Sequence, residues 1–514
     1  MLNNPIIWSD YPDLDVIRVE DTYYMISTTM HFMPGGVILR SYDLIHWEIA
    51  TYVYDTLDNT PGQRLEGELS VYGKGMWAAS LRYYKGTFYV CFVANDTGKT
   101  YLYQSENILG PWRKQNVEGF FHDCSLLFDD DDRIYIVSGN TEIFLTELKS
   151  DLTGPKPGGL SRIIVKDTGN VGLGYEGAHL YKINGKYYVF FIHWLADGTR
   201  RRTEACYVAD SLEGEFTGKD VLDDDMDYHN AGIAQGGIVD TPDGEWYAML
   251  FQDHGAIGRI PVLVPVHWKN DFPVFGIDDK VPHRIEVNST RPTYTYEPLF
   301  DSDDFNYIPD ENGIVHLKKV WQWNHTPADD LWSITEQPGT LRVRSGKLSP
   351  NVGLAVNTLT QRMIGPACEA FVTVDGSALK DGDYTGICAL QGCYGLIALT
   401  KEDGKYYLVM LAKELSKEEN IWGEKGGDKK PGKEYARIQV DSERVTLKVR
   451  ANFYDNIDEA DFYYQDKEKW IKLGITQKLY FRLDHFVGCR FGLFLFSTKE
   501  AGGAADFTHF VYKV

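Results

Sequence analysis

Along roughly the first 250 residues, apolar and polar positions alternate in short runs and never settle into the 3.6-residue period of an amphipathic helix. Runs such as Leu81-Arg82-Tyr83-Tyr84 and Leu180-Tyr181-Lys182-Ile183 are each followed by a Gly or Asp turn, an aromatic or aliphatic residue, a Tyr, and a second apolar run. That phrase occurs as Asp21-Thr22-Tyr23-Tyr24, Gly86-Thr87-Phe88-Tyr89, Asp132-Arg133-Ile134-Tyr135, Gly185-Lys186-Tyr187-Tyr188 and Gly244-Glu245-Trp246-Tyr247. Alternation on both sides of a tight turn predicts an antiparallel hairpin. A second turn follows in several copies, at Ser41-Tyr42-Asp43-Leu44, Ser105-Glu106-Asn107-Ile108 and Asp210-Ser211-Leu212, which predicts an outer hairpin. The final tyrosines lie 65, 46, 53 and 59 residues apart, the length of a four-stranded propeller blade with variable loops. Five copies predict five blades.

After Phe275-Gly276 the phrases stop, and Asp278 to Pro298 is polar and punctuated by Pro282, Pro292 and Pro298, as a surface linker would be. Short strands then resume at Ile314–Leu317, Gly339–Val343, Cys368–Val374, Tyr406–Leu411, Val445–Val449 and Phe491–Phe496, predicting an antiparallel β-sandwich. The chain is thus expected to be all-β: a five-bladed β-propeller over 1–300, with a linker at 277–300, and a sandwich over 301–514. Glu414 to Lys433, rich in Lys, Glu and Gly, is expected to be an exposed loop.

Composition narrows the function. A net charge of −22 disfavours nucleic acid and anionic membranes as partners. The longest basic stretch, Arg200-Arg201-Arg202, is expected to be solvated or salt-bridged. No window approaches the roughly 18 apolar residues of a membrane span, and the first residues lack the regions of a secretory signal. Seven cysteines, an odd number without CxxC pairs, argue against a zinc knuckle or a disulfide framework. A cytoplasmic protein is expected. A homo-oligomer is left open.

In a propeller the innermost strands line the axis, so one register position per blade should face the central channel. Twelve residues before Tyr89, Tyr135, Tyr188 and Tyr247 stand Trp77, Asp123, Glu176 and Gln235, and eleven before Tyr24 stands Asp13. Three acids, an amide and an indole at equivalent places predict a polar axial pocket. The bland alternative is a set of ordinary loop acids, since 74 residues are Asp or Glu. Cys124, next to Asp123, is expected to be buried and to face away from the axis. The run Asp129 to Asp132 is expected to be a solvated loop. No Gly-x-Ser-x-Gly elbow and no phosphate-binding glycine loop is present.

Around these positions the chain resembles family 43 of the glycoside hydrolases, β-xylosidases and α-L-arabinofuranosidases built on a five-bladed propeller. The similar stretches run from Asn4-Pro5-Ile6-Ile7 and Tyr11–Val19 through Trp77-Ala78, His122–Leu126 and Glu176–Lys182 to Gln235-Gly236-Gly237, Asp240–Gly244 and Gly258-Arg259. Trp321–His325, Trp332-Ser333 and Leu359–Arg362 resemble the concanavalin-like carboxyl-terminal domain of one branch of that family, which implies a jelly roll. The resemblance implies Asp13 as general base, Glu176 as general acid, and Asp123 as the residue that orients the acid and raises its pKa. It implies Arg259 near the sugar hydroxyls and Trp77, Phe32 and Gln235 as substrate-binding positions. Where relatives carry a histidine that helps hold a hydrated calcium, this chain has Ala234. The chemistry requires no cofactor, and a structural Ca²⁺ near the axis, with Gln235 or His229 compensating, is left open.

The activity so implied is exo-acting, inverting release of xylose from xylo-oligosaccharides, with α-L-arabinofuranosidase activity beside it. A primary arabinofuranosidase or arabinanase is the alternative. A non-catalytic carbohydrate-binding propeller and a scaffold for protein partners are the rivals from other classes.

Overall fold

The computed structural model describes residues 3–167, 169, 172–414, 429–481 and 486–514. Five four-stranded antiparallel sheets follow one another as blades. Blade 1 is Asp15–Val19, Thr22–Ser27, Gly35–Ser41 and Glu48–Tyr54; blade 2 is Met76–Tyr84, Thr87–Ala94, Lys99–Ser105 and Arg113–Val117. Blade 3 is Ser125–Phe128, Ile134–Asn140, Glu142–Leu148 and Ser161–Lys166; blade 4 is Glu176–Ile183, Lys186–Trp194, Arg202–Ala209 and Thr217–Leu222. Blade 5 is Ala234–Asp240, Trp246–Asp253, Arg259–Lys269 and Phe272–Phe275. The ring closes where Leu14 forms a parallel bridge with Gly236.

The repeated phrase is the first hairpin of every blade. In blades 2 and 4 its turn is Lys85-Gly86 or Asn184-Gly185, with positive φ at both residues, the two-residue geometry that matches strand twist. Each blade buries both faces against its neighbours, which is why the second strands read as nearly continuous apolar runs. Ile38 and Val53 of blade 1 pack with Leu81 and Phe92 of blade 2, and Val137 and Leu145 of blade 3 pack with Leu180 and Val189 of blade 4. Truncating one such side chain to Ala costs about 2–5 kcal/mol.

Residues 277–300 are a strap across the propeller surface. Thr290 Oγ1 donates to the Asp21 carbonyl at 2.6 Å, Arg291 pairs with Asp21 at 2.8 Å, and Tyr294 Oη donates to Glu48 at 2.5 Å. Beyond it, two large sheets form the sandwich. One runs Gln322–Asn324, Leu359–Arg362, Arg490–Ser497, Asp383–Leu390, Gly395–Glu402, Lys405–Ala412 and Lys433–Val440, and its edge is completed by Phe32–Met33 of the propeller. The other centres on Ala367–Asp375, flanked by Ala504–Lys513 and Arg444–Asn452.

Some expectations need correction. Ile314–Leu317 is not a strand; Val315 and Leu317 pack against the core without a paired neighbour, while Ile314 is exposed. Asp129 is not solvated: it is buried and accepts from Lys182 Nζ and, at 2.6 Å, from Tyr187 Oη, whereas Asp130 to Asp132 are exposed. Trp321 needs no correction: it is core, the commoner use of an aromatic in a sandwich, its Nε1 donating to Asp303 Oδ2 at 2.7 Å. Most of the expected exposed loop, residues 415–428, lies outside the described residues.

Candidate active site

Inner strands would place alternate side chains on the two blade faces, not in the channel. A local kink changes that in every blade. Asp13 and Asp123 hold positive φ, 53° and 46°, just before the inner strands of blades 1 and 3. In blades 2, 4 and 5 the register slips between Met76 and Ala79, Glu176 and His179, and Ala234 and Gly237. These bulges turn Trp77, Glu176 and Gln235 out of the blade. Gly177, φ 63°, lies close under Gln235, whose side chain a Cβ there would approach to 2.6 Å.

Asp13, Asp123, Glu176, Trp77, Gln235 and Arg259 consequently line one cavity of about 490 Å³ at the mouth of the channel. Arg259 Nη1 donates to Asp13 Oδ1 at 2.6 Å, and both are buried. The Arg259 guanidinium lies over Phe251 and Phe486, 5.2 and 5.4 Å from their ring centres. Asp123 is pushed up to about 7, first by burial and then by the charges of Glu176 and Asp13, with the imidazole of His122 opposing. His122 is pushed up to about 9, chiefly by Asp123; its Nε2 stands 3.7 Å from Asp123 Oδ2 and 3.9 Å from Glu176 Oε2. Asn140 Nδ2 donates to Glu176 Oε2. Behind Gln235, Glu204 accepts its backbone N–H at 2.7 Å, and burial keeps that carboxyl well above the usual range.

Phe32 does not wall this cavity. It is buried behind it, 3.5 Å beneath the Arg490 guanidinium and paired with Asn324 of the sandwich; Met30 lines the cavity instead. His229 is also elsewhere, bonded at 2.6 Å to Asp455. The register count did not reach His122, Asn140, Trp194, Arg200, Arg202 or Phe486, which also line the cavity. Phe486 comes from the sandwich and packs 5.6 Å from the Trp77 ring.

The axis beneath the cavity is tied by a guanidinium. Arg82 of blade 2 donates to Asp15 Oδ2 of blade 1 at 2.6 Å, and to Ser125 Oγ at 2.6 Å and the Leu126 carbonyl at 2.8 Å in blade 3. Asp15 also accepts from the Leu81 N–H at 2.7 Å and contacts His179 Nδ1 at 3.2 Å; burial would raise its pKa, but Arg82 and His179 hold it low. A carboxylate so engaged, with a cation beside it, does not fit a calcium ion, which requires six to eight oxygen donors. The ligand atoms of His122, Asp123 and Glu176 lie within 4.8 Å of one another at the edge of the cavity.

An acid pair beside a separate carboxylate held by arginine is the equipment of glycoside hydrolysis, and the comparisons agree. The model of the glycosyl hydrolases family 43 matches residues 2–273. The chain belongs to family 43. Residues 302–513 match the β-xylosidase carboxyl-terminal concanavalin A-like domain. A β-xylosidase of Formosa agariphila is 28% identical over 99% of this chain and 90% of its own length. A xylosidase/arabinosidase of Humicola insolens is 25% identical over 100% and 97%. Among solved structures, a bifunctional family 43–carbohydrate esterase protein of Bacteroides eggerthii has 41% identity and a TM-score of 0.89, covering 99% of this chain and 63% of that one. A family 43 enzyme engineered for both endo-xylanase and exo-arabinofuranosidase activity has 27% identity and a TM-score of 0.86, covering 99% of both chains. The family 43 chain described here is therefore a glycoside hydrolase.

Proposed function

We propose that this glycoside hydrolase is an exo-acting, inverting β-D-xylosidase that also releases α-L-arabinofuranose from oligosaccharide ends. The observation that carries the proposal is the convergence of Asp13, Asp123 and Glu176, from blades 1, 3 and 4, on one cavity of bounded volume. Asp13 serves as the base: paired with Arg259 at 2.6 Å, it takes a proton from water as the oxygen attacks the anomeric carbon. Glu176 gives its proton to the departing glycosidic oxygen, so one bond forms as the other breaks and the configuration inverts. That displacement requires the two carboxyls roughly 6.5–9.5 Å apart, to admit the water. Asp123, buried beside Glu176 and holding its proton up to about 7, keeps the acid's side of the pocket protonated, with the His122 cation opposing it. Phe486 packs on Arg259 and Trp77 and walls the Asp13 side, which favours a chain end over a chain middle.

The relatives named β-xylosidase and xylosidase/arabinosidase support the choice of pentose, as does a non-reducing end α-L-arabinofuranosidase of Bacteroides ovatus, 28% identical over 70% of this chain. A lectin reading has no use for a separated acid and base. No metal enters the reaction so proposed. The seven cysteines, all free and buried, suit a reducing compartment, and we place the enzyme in the cytoplasm; activity confined to the medium or envelope after fractionation would refute that.

The test is release of p-nitrophenol from β-D-xylopyranoside and α-L-arabinofuranoside, with NMR of the fresh product. Parent enzyme should liberate both, and α-xylose should appear first. Asp13→Asn and Glu176→Gln should each lower kcat roughly 10³-fold with little change in Tm. Absence of both activities, or folded Asp13→Asn turning over near the parental rate, would end the proposal.

A further inference from the structure

The basic run at 200–202 divides in the fold. Arg201 turns outward and its Nε bonds Asp223 at 2.6 Å, while Arg200 and Arg202 both line the catalytic cavity. Blade 4 explains where. Glu176 pairs with Ile192, and Trp194, two residues farther along the same strand, pairs with Arg202. Residues two apart share a face of a strand, and Ile192 and Trp194 both line the cavity beside Glu176. Because Glu176 protonates the leaving oxygen, the sugar that departs lies on the blade 4 side, over Trp194. The indole packs closely on Gly172, where a Cβ would lie 2.4 Å from the Trp194 ring.

The cations here are not equivalent. Arg259 is committed to Asp13 at 2.6 Å. Arg202 meets Asp253 at 3.1 Å and lies 5.0 Å over the Phe251 ring. Arg200 is exposed, stands 6.0 Å from the Trp194 ring centre, and has no carboxylate partner among the described residues. The acids nearby are otherwise engaged: Asp123 and Glu176 face His122, Asp223 faces Arg201, and Asp197 on the same loop accepts the Thr199 N–H at 2.9 Å. In a chain of net charge −22, a guanidinium without a carboxylate partner among the described residues thus lines the cavity beside the Trp194 ring.

We propose that the leaving-group side of this cavity is a subsite for a sugar bearing a carboxylate, so that the preferred substrate is a xylo-oligosaccharide with a uronic acid on its second residue. Trp194 stacks beneath the sugar ring, and Arg200 takes the carboxylate through the planar fork that suits it. Arg202, fixed by Asp253, contributes field rather than a free donor pair. Neutral xylo-oligosaccharides meet the same platform without the ion pair. This specificity rests on the xylosidase activity proposed above, deepened at the same site.

The experiment compares kcat/KM for xylotriose with that for xylotriose carrying 4-O-methylglucuronic acid on its penultimate residue. The acidic substrate should be preferred about tenfold at low salt, and the preference should shrink when salt is raised to about 0.5 M. Arg200→Gln should bring the ratio close to one, whereas Arg201→Gln, which alters a residue turned away from the cavity, should leave it at the parental value. If xylotriose is hydrolysed but the parental ratio is one or below, or if Arg200→Gln leaves a high ratio untouched, the subsite is refuted and the xylosidase stands. If xylotriose is not hydrolysed, the xylosidase proposal itself has failed.

Discussion

At the Asp123 carboxyl two costs compete: ionising it away from water beside Glu176 and Asp13, and leaving His122 without a counter-charge. The first dominates for Asp123, which rises to about 7, and the second lifts His122 to about 9. Both groups bind a proton more tightly folded than unfolded. Each therefore contributes stability that is full below its unfolded value, 3.8 for Asp123 and 6.5 for His122, and is lost as pH rises through about 7 and about 9. Under the proposed mechanism Asp123 also shapes activity, because the acid side of the pocket must retain a proton. The alkaline limb of kcat/KM is expected near pH 7. His122→Gln removes the positive charge that opposes protonation of Asp123, so that limb should move to higher pH, and the stability loss through about pH 9 should disappear from urea titrations. A limb that stays, or moves to lower pH, would show that His122 does not face the acids as a cation. Asp13, Asp123 and Glu176 were legible because they repeat with the blades. His122 and Asn140 were not, since neither occupies the repeated position. Arg200–Arg202 are expected from sequence to be solvated or salt-bridged, and Arg201 and Arg202 do pair with Asp223 and Asp253; that Arg202 also faces the cavity shows only in its pairing with Trp194.

At the scale of the inner strands, the repeated phrase announces hairpins but not the bulges that open them. Register slips leave no mark in the alternation, so Trp77, Glu176 and Gln235 could be counted to one position without a reason for their pointing into the channel. Nor did Leu81-Arg82-Tyr83-Tyr84 distinguish Arg82 from an ordinary polar strand residue. Its guanidinium joins blades 1, 2 and 3, while Tyr181 Oη, near Asp15 and accepting the Ile238 N–H at 3.0 Å, carries the connection through blades 4 and 5. A fixed guanidinium thus ties the axis across neighbouring blades. Exhaustive treatment with a chelator should therefore leave kcat and Tm unchanged, and added calcium should change neither. Arg82→Met should lower stability by about 3–5 kcal/mol, because the buried Asp15 loses its partner. Activity abolished by the chelator and restored by calcium would contradict the arrangement.

The two domains were legible as a change of rhythm after Phe275, yet their union was not. A two-residue strand gives too short a pattern to read, and Phe32–Met33 leaves blade 1 to pair with Trp323 and Asn324 at the edge of a sandwich sheet. Around that seam, Asp10 accepts the N–H groups of Arg259 and Gly488, both at 2.9 Å, and Arg362 Nε donates to the Asp10 carbonyl at 2.9 Å. Gly488 is two residues from Phe486, so the loop that walls the catalytic cavity is anchored to the segment that carries Asp13. Apolar residues of blades 1 and 5 and of the sandwich also form one continuous core, in which Val16 and Phe251 belong with Leu359 and Leu493. A sheet, a core and an active-site wall held in common leave no surface along which one domain can detach intact. Urea unfolding followed by tryptophan fluorescence, by circular dichroism and by residual activity should thus give one coincident transition. The fragment 1–300, stripped of the partner that covers Phe32 and Tyr11, should be inactive and aggregate. Two separated transitions, or a soluble and active fragment, would mean that the sandwich is an appendage and that the cavity is complete without Phe486.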